Sequence, residues 1–527
     1  MKLFKKLLSY IIAVTMVLSL TTLLGGNVHA EDTAQHVITI INAPSGRTYK
    51  AYQIFKGDYS DGTLSNIEWG DNVTPSTLLS KLKGDTTYFS GINDESSVRD
   101  VAEKMSSGED TAQAKAFAKY AEASKTGEGF ASTENTETKK TTITVTRSGY
   151  YLVEDTTDAS KQSSKNESYT RYIVKVVGGN TDINLKGNVP TVEKKVKDTN
   201  DSTGVTSDWQ DSADADINDK VDYQITGTMP SNIDDYDSYK YVFTDTMSKG
   251  LTYTPNTAKI TIDGTEVTSS FKEEVTQNAD ETGKTKVTWS CDDLKTAGKT
   301  AGVELTSTTK VVVTYKATLN EKAVIGSAGN PNTVNLTYSN NPNKGGDGET
   351  GKTPDDKNIV FTYKAVVNKV DQAQHKLAGA GFTLQKKVKK DDGNIEYKTV
   401  GEIGADNEKS TFEFTDLDDG DYRLTETTTP AGYNTIAPID FTITATHEVE
   451  ADEPQLKELT VSKKSVEAEF TADKSAGSLT TNVVNKKGSV LPSTGGMGTT
   501  LLYAVGGVLV ALAAAYIIIS KKHEKAE

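Results

Sequence analysis

Between about residues 31 and 487 apolar and polar residues alternate in short runs. Val37-Ile38-Thr39-Ile40, Lys310-Val311-Val312-Val313-Thr314-Tyr315 and Ile439-Asp440-Phe441-Thr442-Ile443-Thr444 are examples, each rich in Thr, Val, Ile or Tyr and bounded by Asn, Asp or Gly turns. A period of two puts alternate side chains on one face, so these runs predict half-buried strands at close spacing, the pattern of all-β sandwiches. One stretch departs from it. Between about Ser97 and Ser124, Val98, Val101, Ala102 and Met105, then Ala112, Ala116 and Phe117, fall at helical spacing. That spacing predicts a helical insertion in the first domain.

Two breaks divide the alternating region. Gly178-Gly179-Asn180 leads into a turn-rich join ending at Val189-Pro190, and Ser339 to Asn358 has no large apolar residue, which reads as a linker. The expected domains are 31–186, 190–340 and 358–487, three in number, as a mature length near 460 residues also suggests at about 150 residues per domain.

Both ends carry their own patterns. Lys2, Lys5 and Lys6 precede an apolar run from Leu7 to about Leu24, which closes on Val28-His29-Ala30, the layout of a secretory signal peptide over residues 1–30. At the other end, Leu491-Pro492-Ser493-Thr494-Gly495 is followed by an apolar stretch from about Thr499 to Ser520 and then by Lys521, Lys522 and Lys525. The stretch is long enough to span a bilayer, and the basic tail would remain cytoplasmic.

Composition narrows the chemistry. The net charge of −15 disfavours nucleic acid and anionic membrane as partners. Cys291 is the single cysteine, so no intrachain disulfide can secure a secreted chain of this size. The five histidines show no metal spacing, no cofactor motif is present, and Asp416-Leu417-Asp418-Asp419-Gly420-Asp421 lacks the EF-hand order; it reads as a turn, with a loop calcium left open.

Strand periodicity places certain polar residues among apolar ones. Lys369 continues Phe361, Tyr363, Ala365 and Val367; Glu426 continues Tyr422 and Leu424; Asn485 continues Leu479, Thr481 and Val483. In the second domain Lys194 shares a face with Val192 and Val196, Asp245 continues Tyr241 and Phe243, and Asn332 heads Val334, Leu336 and Tyr338. Buried charges are costly, so each lysine and acid is expected to be neutral. A neutral amine is a nucleophile, and a protonated acid can polarise an amide.

Family resemblance gives these residues roles. Leu491-Pro492-Ser493-Thr494-Gly495, with the span and basic tail behind it, resembles the LPxTG sorting signal over residues 491–527 that a sortase cleaves between Thr494 and Gly495. Tyr422-Arg423-Leu424-Thr425-Glu426-Thr427-Thr428-Thr429-Pro430-Ala431-Gly432-Tyr433 resembles the E-box of sortase-assembled pilins and their Cna-B-type domains. Pro190-Thr191-Val192-Glu193-Lys194-Lys195-Val196 and Phe243-Thr244-Asp245 resemble the middle domains of backbone pilins. The resemblance implies tandem immunoglobulin-like Cna-A/Cna-B-type sandwiches. It also implies self-formed isopeptide bonds Lys369–Asn485 and Lys194–Asn332, assisted by Glu426 and Asp245. The expected function is a structural backbone pilin rather than an enzyme, anchored to peptidoglycan at the cell surface. Its partners would be pilus-specific and housekeeping sortases, other copies of itself and minor pilins. The alternative is a wall-anchored adhesin or minor pilin that binds a host ligand.

Polymerisation in that family needs an exposed lysine to attack the Thr494 carbonyl of the next subunit. The usual YPKN-like motif is missing, and Lys186, eight residues before Lys194, occupies the matching place; a solvated linker lysine is the competing reading. In the first domain Tyr150-Tyr151-Leu152-Val153-Glu154 imitates the E-box, yet no motif supports Lys50 or Asn180 as partners, so Glu154 reads as a core-edge acid.

Overall fold

A computed structural model describes residues 35–41, 43–60, 63–105, 111–135, 137–138, 140–158, 165–170, 172–185, 188–346, 348–390, 392–463, 469–488 and 498–523. The signal-peptide residues 1–30, Lys186, and Leu491, Pro492, Thr494 and Gly495 lie outside the described residues.

The alternating runs form strands throughout. The N-terminal region is an eight-stranded sheet in which His36–Ile41 pairs antiparallel with Lys140–Val145 and parallel with Thr181–Asn184. The helical insertion holds Val98–Lys104, opened by a reciprocal Ser97–Asp100 capping box, and Ala112–Glu122, capped by Thr111. A further helix, Pro75–Gly84, was not legible in the periodicity: Leu78, Leu79 and Leu82 give it only one short apolar stripe.

The middle region is a sandwich. One sheet runs Ser212–Asp214, Asp356–Phe361, Asn330–Ser339, Tyr241–Met247, Thr285–Cys291, Lys272–Thr276; the facing sheet ends in Lys310–Leu319, Lys220–Thr228 and Val192–Val196. Its core includes Tyr223, Tyr241, Phe243, Trp289, Tyr315, Leu336 and Tyr338, all essentially inaccessible. The C-terminal region is a second sandwich. A four-stranded sheet (Thr411–Leu417, Tyr363–Asp371, Ser478–Asn485, Phe470–Asp473) faces a five-stranded one centred on Gly420–Thr428.

Residues 339–358 are not a linker, and the expected start of the third domain at 358 falls inside a strand. Thr350–Lys352 and Asp356–Phe361 both pair with Asn330–Ser339. Asp356–Phe361 serves two cores at once, with Val360 in the middle core and Ile359 and Phe361 in the C-terminal one. The polar loop also holds the N-terminal domain: Tyr169 N–H donates to Asn340 O at 2.8 Å, Lys352 N–H to Lys165 O at 3.0 Å, and Asn343 Nδ2 to Thr170 O at 2.8 Å. Polarity alone suggested a tether because these contacts use backbone groups and short amides, which leave no apolar signature.

The C-terminal helix Gly498–His523 includes an apolar stretch Leu501–Lys521 of 21 residues. At 1.5 Å per residue it is about 32 Å long, enough for a hydrocarbon core of about 30 Å.

Candidate functional site

In the C-terminal sandwich the first and last strands lie side by side and parallel, with Lys369 opposite Val483 and Asp371 opposite Asn485. Lys369 and Asn485 are fully buried, and Glu426, 5 % exposed, comes from the facing sheet. Asn485 Nδ2 donates to Glu426 Oε1 at 3.0 Å and to Oε2 at 3.1 Å, while Lys369 Nζ lies 3.8 Å from Oε1 and donates to Val483 O at 2.9 Å. Burial pulls the Lys369 amine down to about 8 against the opposing pull of Glu426. The segment after Glu426 explains its sequence. Gly432, at φ +84°, turns the chain so that Ile436 N–H donates back to Glu426 Oε2 at 3.1 Å. Asn485 Oδ1 accepts no hydrogen bond. A half-turn of that amide would exchange its two ends and present Oδ1 to Glu426.

The second cluster bridges the two middle sheets. Lys194 stands on the edge strand Val192–Val196, and Asp245 and Asn332 on neighbouring strands of the facing sheet; all three are completely buried. The Tyr315 hydroxyl joins them: it receives hydrogen bonds from Lys194 Nζ at 2.6 Å and Asn332 Nδ2 at 2.9 Å, and donates to Asp245 Oδ2 at 2.9 Å. Lys194 Nζ also contacts Asp245 Oδ2 directly. Desolvation lowers the Lys194 amine and raises the Asp245 carboxyl, each against the pull of the other. The ion pair and the neutral pair hold the same proton, and burial favours the neutral arrangement. The Tyr223 ring stacks on Tyr315 at 5.2 Å, and Trp289 packs against Tyr315 at the same distance in a tilted arrangement, which walls the cluster with aromatic rings.

Sequence reasoning missed two members of this cluster. Tyr315 ends a continuous apolar run and reads as core. Asn358 lies opposite Asn332 in the pairing, is wholly buried, and has no hydrogen-bond partner at either amide atom. It was hidden in the stretch taken for a linker.

Not every buried lysine is of this kind. Lys386 lies at 2.6 Å from Asp216 and 2.8 Å from Asp418; burial works to lower its pKa, but Asp418, Asp216 and Asp201 outweigh it and hold the amine charged. In the N-terminal domain Glu154 pairs with Lys125, Lys50 reaches the surface Glu128 at 3.1 Å, and Asn180 is exposed, so Lys50, Glu154 and Asn180 do not form a third cluster.

Comparisons with known proteins agree with this architecture. Residues 217–342 match the family model of Gram-positive pilin backbone subunit 2, a Cna-B-like domain. Over those residues the middle sandwich is similar to the Gram-positive pilin backbone family. Further along, residues 364–455 match a SpaA prealbumin-like fold domain, and residues 483–526 match the LPXTG cell wall anchor motif. The anchor match makes the chain a cell-wall-anchored surface protein, and the families it matches are structural rather than enzymatic. It is 27 % identical over 271 residues to the trypsin-resistant surface T6 protein of Streptococcus pyogenes serotype M6, covering 47 % of this chain and 44 % of that one. The chain thus spans about half the length of this curated relative. The solved T6 backbone pilin of serotype M6 Streptococcus pyogenes, a modular three-domain structure, superposes with a TM-score of 0.50 at 16 % identity, over 88 % of this chain and all of that one. The full-length major pilin SpaD of Corynebacterium diphtheriae gives 0.46 at 17 % identity, over 88 % of this chain and all of that one. The first of these supports the shared β-sandwich fold.

Proposed function

We propose that this protein is the structural subunit of a covalently polymerised surface pilus, hardened by two self-formed Lys–Asn isopeptide bonds. The observation that carries the hardening is the pair of buried clusters, each bringing an amine, an acid and an amide together away from water. In each, Lys Nζ attacks Asn Cγ; the Nζ–Cγ bond forms, the Cγ–Nδ2 bond breaks, and ammonia leaves with the proton taken from the amine. Glu426 serves Lys369–Asn485 and Asp245 serves Lys194–Asn332, each as the proton carrier that polarises the amide. Each chain reacts once, so the chemistry is self-modification.

The two bonds would close loops 194–332 and 369–485. Pulling force would then bypass both loops and run through residues 333–368 as ordinary chain. A covalently closed fold would also share the protease resistance named for the T6 relative. Peptide mapping of a digest would locate each cross-link and show whether Lys194 joins Asn332 or its neighbour Asn358.

Tyr315→Phe removes the hydroxyl that receives Lys194 and Asn332 and donates to Asp245. Intact mass taken soon after folding should show a fraction of chains still carrying the second ammonia, with the Glu426-assisted bond complete. Full loss of both at the ordinary rate would deny Tyr315 any part in positioning.

Between subunits, a sortase would cleave Thr494–Gly495 and pass the Thr494 acyl group to an amine of the next copy, with Lys186 as the proposed acceptor. Wall extracts boiled in detergent should give a ladder of covalent multimers that collapses in Lys186→Ala. A single band from unmodified cells would point instead to a wall-anchored adhesin or minor pilin with a host ligand. A ladder unchanged in Lys186→Ala would move the acceptor elsewhere.

A further inference from the structure

The junction between the middle and C-terminal domains buries an excess of acid that its cations do not balance. Asp198, Asp201, Asp214, Asp216 and Asp219 come from the middle domain, and Asp418 and Asp419 from the turn before Gly420. Lys386 is engaged by Asp216, Asp418 and, at 3.6 Å, Asp201. Among the described residues no lysine or arginine forms an ion pair with Asp198, Asp214 or Asp419.

The acids converge. Carboxylate oxygens of Asp214, Asp418 and Asp419 lie within 4.8 Å of one another, and so do ligand atoms of Asp198, Asp214 and His447; Asp214 belongs to both groups. Two further observations distinguish these acids from an ordinary acidic cluster. Asp214 is only 4 % exposed, yet its Oδ2 has no hydrogen-bond partner. The fully buried Tyr363 hydroxyl is directed at Asp214 but falls outside regular hydrogen-bond geometry, so it too is left incompletely paired. The partly buried Asp198 leaves Oδ1 unpartnered as well. A buried carboxylate oxygen without a donor or cation is costly, so such a group persists where something binds it.

We propose that this junction is a calcium-type divalent cation site, with oxygen donors from Asp198, Asp214, Asp418 and Asp419. The donor set is all oxygen and strongly anionic, as calcium prefers. His447 would act behind it: Nδ1 lies 2.7 Å from Ser212 Oγ, and Nε2 lies 3.5 Å from Asp198 Oδ2, steadying that carboxylate. The position gives the ion a mechanical role. Asp214 pairs with Phe361 in parallel strands, and residues 333–368 are the stretch that the two proposed isopeptide bonds leave unprotected. A cation joining Asp198 and Asp214 to Asp418 and Asp419 would tie the middle domain to the C-terminal one across that stretch. The site stands whether or not those bonds form.

The test uses the full chain, purified in detergent and stripped with a chelator, with Ca²⁺ titrated in a calorimeter. One Ca²⁺ per chain is expected, with an affinity at or tighter than the roughly 10⁻⁴–10⁻³ M of extracellular calcium modules. Asp214→Asn, checked for native circular dichroism, should weaken binding at least tenfold. Should that variant fail to fold, the half-buried Asp419→Asn takes its place with the same expectation. No binding at millimolar Ca²⁺ overturns the proposal, as does unchanged affinity in the folded variant. Binding of Zn²⁺ but not Ca²⁺, lost in His447→Gln, would also overturn it.

Discussion

A Glu426→Ala chain should weigh one ammonia more than the unmodified chain after folding and should lose about 5 kcal/mol of C-terminal-domain stability, the chain-entropy value for closing a loop of this length. The acid is the shared partner of both reacting groups, at 3.0 Å from Asn485 Nδ2 and 3.8 Å from Lys369 Nζ. Without it no proton carrier touches the amide. A second readout separates loss of the bond from general damage. In the unbonded variant Lys369 remains a buried amine, which burial pulls down from 10.5 to about 8 even with Glu426 helping to hold its charge; without Glu426 it falls further. Its folded pKa then lies below its unfolded one, so between the two the unfolded chain binds more protons. Stability of the variant should therefore rise with pH up to about 10.5 and drop as pH falls through that window. The unmodified chain should lack this slope, because an amide nitrogen does not titrate. Complete ammonia loss in Glu426→Ala would defeat the proposed mechanism.

Asp245→Ala should have the larger effect. It prevents the Lys194–Asn332 bond, removing about 5 kcal/mol of loop closure, and it strips the carboxylate that contacts the fully buried Lys194 amine. Breaking a buried pair from one side typically costs about 3–5 kcal/mol more. Together these losses are comparable with the whole stability of a typical domain, about 5–15 kcal/mol. The middle domain should melt tens of degrees earlier and become open to protease, read by calorimetry and limited digestion. Asp245→Asn is the control: it keeps the volume and a hydrogen bond to Tyr315 but carries no transferable acid proton. It should retain the extra ammonia while keeping more of the fold. If Asp245→Asn still lost two molecules of ammonia, Asp245 would be a structural acid only.

The candidate site was readable residue by residue where strand periodicity was strict. Lys194, Asp245 and Asn332 each continue an alternating apolar series, and all three are completely buried. Lys369, Glu426 and Asn485 behave likewise, with a distinctive Pro-Ala-Gly-Tyr turn after the acid. Tyr315 escaped notice because an aromatic in an apolar run has an adequate explanation as core. Asn358 and the strand around it escaped because polar residues that satisfy their neighbours through backbone pairing resemble a tether. His447 looked isolated among scattered histidines until the fold brought it to Asp198 and Asp214.

By itself the sequence determined the strand content, the C-terminal anchor and the inward-facing polar residues, because each depends on spacing along a few neighbouring residues. Only the tertiary structure brought the Tyr315 hydroxyl to Lys194, Asp245 and Asn332, showed which lysine stays charged, and showed how the domains join. Those outcomes depend on groups more than a hundred residues apart, such as Lys194 and Tyr315 or Lys386 and Asp216, whose separation in the folded chain no local pattern encodes. Lys194 and Lys386 are both buried lysines on strands. One faces a single acid and an aromatic wall, the other faces three acids, and that difference in surroundings lowers the pKa of the first amine and raises that of the second.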